Sequence, residues 1–231
     1  MSNMDAVIMC GGKGERMGYL TKEMPKALLE VNGKPILDYT IEKLMDAYNV
    51  DKIILNVNEK FAKMFIDRYG YGTIKPIEYS IENLGSFTVA LQRIIDNNVK
   101  GDAFLLTLGD TISDLNFDVI IDYYNMYKGK YDVIVVFKKT LEKNTVITDG
   151  KIVKKIKYDK INTQVASGIH IFNKKDISGK MGERMDSAFP LLISQKKLIA
   201  YKYYGFVSQA NTYKDLEQLN IDLKNNDDKL F

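Results

Sequence analysis

Through roughly the first 140 residues, short apolar runs alternate with stretches in which apolar positions recur every three or four residues. That is the pattern of strands followed by helices. Asp5 to Met9 predicts a strand, and Pro35 opens a helix at its first position, with Ile36, Leu37, Ile41, Leu44 and Met45 on one face. Strand Lys52 to Val57, helix Glu59 to Tyr69, strand Ile74 to Ile81 and helix Phe87 to Asn97 continue the series. Ala103 to Leu108 is a continuous apolar run, as expected of a strand in a parallel sheet covered on both faces. A helix near Val119 to Tyr127 and a strand Val133 to Phe137 complete the alternation, which implies a doubly wound α/β sheet.

The second half changes character. Thr145 to Ile156 predicts a β-hairpin turning at Asp149-Gly150. Val165 to Phe172 reads as a strand, Ser187 to Ser194 as a helix and Leu198 to Tyr204 as a strand. A last helix, Tyr213 to Lys224, carries Leu216, Leu219 and Leu223 at helical spacing, and Asn225 to Lys229 is a polar tail. No repeat and no sharp shift in composition divides the chain, so residues 1–231 are read as a single domain.

Composition narrows the function classes. A chain of 231 residues is long enough for a real core, and 45% hydrophobic with 27% charged residues is ordinary for a globular protein. The net charge of +3 is too small to argue for nucleic acid or an anionic membrane as partner. The single Cys10 excludes an internal disulfide and fits a reducing cytoplasm. No apolar run approaches the roughly 20 residues of a membrane span, and no signal peptide precedes Val7.

The chemistry concentrates in residues 7 to 35, VIMCGGKGERMGYLTKEMPKALLEVNGKP. Gly11, Gly12 and Gly14 end the first strand and let backbone N–H groups approach a ligand, with Glu15 beside them. Arg16 and Lys26 follow as two cations, the second behind Pro25. A nest of amides ringed by positive charge suits a polyphosphate. The spacing is neither a dinucleotide fingerprint, whose last glycine would fall at Met17, nor a Walker loop, which needs Gly-Lys-Ser/Thr. Asp110, at the end of the most apolar strand, should face the crevice beyond the strands' carboxyl ends. The lone His170 reads as a strand residue.

GGKGERM followed by LTKEMPKALLEVNGKPILDY resembles the signature of sugar-1-phosphate nucleotidylyltransferases, GGxGTRLxPLTxxxPKPLxxVxxKPxL. The resemblance is dense over residues 6 to 45 and thinner to about 220. It implies a Rossmann-like α/β/α sandwich with a mixed, mostly parallel sheet. Residues about 1–140 would bind the nucleotide, and the hairpin half, about 141–231, would build the acceptor pocket. The implied reaction joins a nucleoside triphosphate to a sugar 1-phosphate and releases pyrophosphate. Arg16 and Lys26 would be the catalytic cations, and Gly11, Gly12, Gly14 and Glu15 would hold the nucleotide. Gly109 would also contact the nucleotide, and Asp110 after it would bind Mg²⁺. Leu84-Gly85-Ser86 looks like the family loop that lies against the base or sugar, although a plain helix start at Ser86 explains it almost as well.

Several departures leave room for other readings. The family's second metal aspartate aligns with Gln209 in VSQANTYKDL, a neutral amide that should weaken Mg²⁺ binding. Asn144-Thr145-Val146 replaces the usual sugar-contacting YGV, and Lys157 is the nearest counterpart of the lysine that meets the sugar phosphate. SGIHIF resembles the family's acceptor strand around Gly168. A module that senses nucleotides without turnover and a methylerythritol-phosphate-type cytidylyltransferase are alternatives, though the latter's His-Asp-Ala-x-Arg-Pro run is missing. A glycosyltransferase would need a D-x-D motif that Asp110 to Asp114 does not supply. A homo-oligomer stays open, since relatives are often dimers or tetramers.

Overall fold

The computed structural model describes residues 3–12, 14–83, 85–127, 130–149 and 151–225. Leu84, Gly150 and the tail beyond 225, all read above, lie outside the described residues. In chain order the elements are β1 (Met4–Met9), β2 (Glu30–Val31), β3 (Lys34–Pro35), α1 (Ile36–Asp46), β4 (Val50–Asn58), α2 (Ala62–Tyr69), β5 (Ile77–Glu82) and α3 (Phe87–Asn97). There follow β6 (Ala103–Leu108), β7 (Thr111–Ser113), α4 (Phe117–Met126), β8 (Asp132–Asp149), β9 (Ile152–Asn173) and α5 (Lys174–Ile177). The chain closes with α6 (Phe189–Ser194), β10 (Leu198–Tyr203), β11 (Val207–Gln209) and α7 (Tyr213–Asn225).

Seven strands form one sheet in the order β10-β8-β9-β6-β1-β4-β5, and only β9 runs antiparallel to its neighbours. Alternation along the strands feeds two cores. Ala6 and Ile8 of β1 face Leu37, Ile41, Leu44, Phe65 and Ile120 of α1, α2 and α4. Val7 and Met9 face Ala90, Leu91 and Ile94 of α3. A third cluster seats Leu219 and Leu223 of α7 on Ile36 and Tyr39 of α1. The mixed α/β sandwich is therefore the one expected. Pro35 stands one residue earlier than expected, as the N-cap of α1.

Two features differ from the expectation. The hairpin is not a short unit after Phe137, because β8 and β9 run unbroken from the sheet into it. Only the inner ends pair with other strands, β8 with β10 through Phe137 and β9 with β6 from His170. Outward of these, Lys138 to Asp149 pairs with Ile152 to Gln164 alone, a two-stranded ribbon of roughly 40 Å at 3.3 Å per residue. The second feature is the small antiparallel pair β7–β11, which lies beside the end of β6 and brings Gln209 opposite Thr111.

Two buried titratable groups in the sheet act on stability with opposite signs. His170, buried beside the rings of Phe172 and Phe189, is held neutral by burial, with its pKa lowered to about 4 from 6.5. Asp132 accepts a hydrogen bond from the Asn173 backbone N–H (2.6 Å). Burial and, less strongly, Asp176 push its pKa up to about 6. As pH falls toward 4, the unfolded chain takes up a histidine proton that the native state refuses, which destabilises the fold. Over much of that window native Asp132 takes up a proton that the unfolded chain refuses, which stabilises it. Urea unfolding at pH values of about 6.5 and 4.5 checks this. Relative to wild type, His170→Leu should gain stability on acidification and Asp132→Asn should lose it, each on the order of 2 kcal/mol.

Candidate active site

The carboxyl ends of β6, β1, β4 and β5 present Asp110, the glycine bend, Asn56 and Glu82 to one cavity of about 600 Å³. Parallel strands bring these residues together by direction alone, since each strand leaves the sheet on the same side. The bend starts where Cys10 N–H donates to Asn56 O (2.9 Å), carrying the β1–β4 pairing one step past the strand. Gly14 has a left-handed backbone (φ 66°, ψ 15°) in which a side chain would be strained, and a Cβ there would lie 2.8 Å from Thr21. Thr21 closes the bend by donating its hydroxyl to Gly14 O (2.9 Å). Gly11, Gly12, Glu15 and Arg16 line the cavity with Gly14.

Lys26 opens a single 3-10 turn after the extended Pro25, which aims its side chain across the bend toward β6. There it forms an ion pair with Asp110 Oδ2, the two side chains being 16% and 19% exposed. Asp110 Oδ1 is buried and receives no hydrogen bond among the described residues. An unused carboxylate oxygen at the edge of a phosphate-sized cavity is what a hard divalent cation takes, with phosphate oxygens and water completing its shell. The residues present thus fit one metal ion held by a single carboxylate. Among the described residues no larger cluster of His, Cys, Asp and Glu converges to cage one.

Gly109 lets this wall close. A Cβ there would stand 2.5 Å from Cys10 Sγ and 3.2 Å from Ala27 Cβ, so the strand end carrying Asp110 packs directly on the bend. Burial, with Asp110 nearby, pushes the Cys10 thiol well above its usual pKa. Gly109→Ala should force the two loops apart, lowering stability by about 1–3 kcal/mol and reducing activity. Thermal unfolding and an activity assay together check this.

Gln209 sits where the β7–β11 pairing puts it, and Ala210 N–H donates to Asp110 O (3.1 Å). The Gln209 amide nitrogen donates to Ser167 O (2.9 Å) and Thr111 Oγ1 (3.2 Å). Its oxygen meets only a long contact from Asn211 Nδ2 (3.5 Å). Gly168 packs closely here, with a Cβ at that position 2.9 Å from both Gln209 Nε2 and Leu108. Lys157 is not brought to the cavity. It is an exposed residue of the ribbon opposite Thr145, roughly 35 Å along β9 from Gly168 at 3.3 Å per residue. Asn144, Thr145 and Val146 lie on the same outer stretch. Gly85 and Ser86 do line the cavity, and Ser86 also caps α3 by accepting from Val89 N–H (3.3 Å).

Among the lining residues missed in the sequence are three with amide or carboxylate side chains, Asn56, Glu82 and Asn211. Asn211 accepts a hydrogen bond from Arg16 Nη2 (2.9 Å) and so fixes the guanidinium at the cavity rim. The Thr212-x-x-Asp215 capping pair, in which Asp215 accepts from Thr212 N–H (2.7 Å), marks the start of α7 and could have placed Asn211 just before it. Asn56, near the end of the apolar β4, carries a weaker form of the signal that singles out Asp110, whereas the half-polar β5 gives none for Glu82.

A mostly parallel sheet with a glycine bend after its first strand, cations behind it and a carboxylate after the neighbouring strand is an arrangement whose chemistry suits a polyphosphate. The comparisons specify the class further. The chain belongs to the MobA-like NTP transferase domain family, which matches residues 6–165, and it is a nucleotidyltransferase. It is 29% identical over 94% of its length to a Bacillus subtilis protein named "Probable glucose-1-phosphate cytidylyltransferase", 95% of which is covered. It is 31% identical, over 96% of its length, to "Bifunctional protein GlmU" of Methanocaldococcus jannaschii, covering 56% of that protein. Among solved structures, HddC from Yersinia pseudotuberculosis has the same fold, with a TM-score of 0.69 and 20% identity over 95% of this chain and 99% of that one. Nucleotidyltransferases of this family typically use a divalent metal. No helix among the described residues is long and apolar enough to cross a membrane.

Proposed function

We propose that the chain transfers a nucleotidyl group from a nucleoside triphosphate to a sugar 1-phosphate, giving a nucleotide sugar and pyrophosphate. One observation carries this reading: Gly11, Gly12, Gly14, Arg16 and Lys26 share a cavity wall with a carboxylate that keeps one buried oxygen bare. Relatives named for glucose 1-phosphate and mannose 1-phosphate support the acceptor class.

The chemistry asks little of side chains beyond charge and alignment. A phosphate monoester is mostly dianionic near neutral pH, its second pKa being about 6, so the acceptor oxygen attacks the α-phosphorus with no general base. A new P–O bond forms, the bond from the α-phosphorus to the bridging oxygen breaks, and pyrophosphate carries off the electron pair. The bend's amides and the Arg16 fork hold the triphosphate in line. Lys26 leaves its partner carboxylate to sit on phosphate oxygens as a point charge. Mg²⁺, held by Asp110 with Gln209's amide oxygen as a weak second donor, would supply the remaining neutralisation of charge.

The test is pyrophosphate release across a panel of triphosphates and sugar 1-phosphates with Mg²⁺. Turnover with at least one pair is expected, whereas nucleotide binding without turnover would replace the enzyme with a sensor. Gln209→Asp should lower the Mg²⁺ concentration needed for half-maximal rate, because it adds a formal charge beside Asp110. An unchanged metal titration would remove Gln209 from the site.

A further inference from the structure

We infer that Glu82 selects the base of the triphosphate, and that the base it selects is guanine. This rests on the nucleotidyltransferase reading above. The order of strands at the carboxyl edge lays out the cavity. Asp110 follows β6, the glycine bend follows β1, Asn56 lies near the end of β4 and Glu82 ends β5. At about 4.8 Å between strands, Glu82 stands roughly 14 Å from the Asp110 end. The phosphates belong at the Lys26 and Arg16 end, where the two cations line the cavity. The base therefore falls toward β5, where Phe87 and Ala90 of α3 and Met9 of β1 supply apolar surface for its faces.

Glu82 is buried, 7% exposed, yet lines the cavity. Arg93 from α3 pairs with its Oε2 and fixes the carboxylate. Among the described residues Oε1 receives only a long contact from the Ser80 hydroxyl (3.5 Å), which leaves acceptor capacity on a residue that lines the cavity. An ionised carboxylate accepts and cannot donate, so it suits an edge with two adjacent donors. Guanine alone among the common bases has one, N1–H beside the 2-amino group. Uracil and thymine place a carbonyl on each side of their single N–H, and cytosine and adenine place a bare ring nitrogen beside their amino group. Each of these would set an acceptor against an acceptor in a buried site, the mismatch that discriminates most strongly. Asn56, whose Nδ2 makes only a long bond to Ser80 O (3.4 Å), can offer its amide to guanine O6.

Calorimetric titration of the whole chain with Mg²⁺ and each of GTP, inosine triphosphate, CTP, UTP and ATP tests this without an acceptor. GTP should bind at least about tenfold tighter than every other triphosphate, including inosine triphosphate, which lacks only the 2-amino donor. Glu82→Gln should bring GTP down to the level of the others and leave UTP no weaker. The inosine comparison is made on the wild-type chain and stands even if that variant does not fold. Equal binding of all five, or tighter binding of UTP, CTP or ATP, overturns the inference while the phosphate site survives. Binding of none overturns the nucleotidyltransferase reading and the inference with it.

Discussion

Asp110→Asn lowers nucleotidyl transfer by at least about a hundredfold, the effect of removing a preorganised charge from a developing transition state. The substitution keeps shape and a neutral oxygen, and it deletes the charge beside the bare Oδ1 that fits a divalent cation. Triphosphate binding without metal should hold or tighten in this variant, since one negative charge leaves the phosphate end. The loss therefore falls on kcat and on the metal titration, and not on nucleotide affinity. Steady-state kinetics at several Mg²⁺ concentrations, with calorimetric binding in the absence of metal, separate the two. A wild-type rate would remove Asp110 from the mechanism.

Lys26→Ala should lose at least about a hundredfold in activity as well, with a different signature. Here the loss should include triphosphate affinity, because the proposed function has the lysine on phosphate oxygens in both ground and transition states. It also strips the largely buried Asp110 of its ion-pair partner, which costs stability by about 1–3 kcal/mol. Combining Lys26→Ala with Asp110→Asn removes the unpaired charge, so the melting temperature should recover while activity does not. Recovery of both would make the pair structural.

The alternation of apolar strands and amphipathic helices made the first half of the fold legible. Ala103–Leu108 and Phe87–Asn97 match their predicted bounds because each buries a continuous surface. The ribbon was underestimated for the converse reason. Lys138 to Lys143 and Asp159 to Asn162 show little apolar alternation, and a two-stranded ribbon can form on backbone pairing that leaves no such trace. Lys157, the nearest counterpart of the family's sugar-phosphate lysine, lies on this outer ribbon opposite Thr145. That Gly11, Gly14, Arg16, Lys26 and Asp110 share one cavity was legible because glycines, two cations and an aspartate at the ends of neighbouring strands must converge there. Asn211 was not, because its position depends on the three-residue strand β11 and the cap of α7, which carry little hydrophobic signal.

The claim on which the rest depends is that the bend after β1 holds the triphosphate. A crystal structure with Mg²⁺ and a slowly reacting triphosphate analogue measures this directly. The account predicts phosphate oxygens on the Gly11–Gly14 backbone amides, with Arg16 and Lys26 turned onto them and the metal on Asp110. Nucleotide bound elsewhere, or an empty bend with Lys26 still paired to Asp110 at saturating ligand, would contradict it.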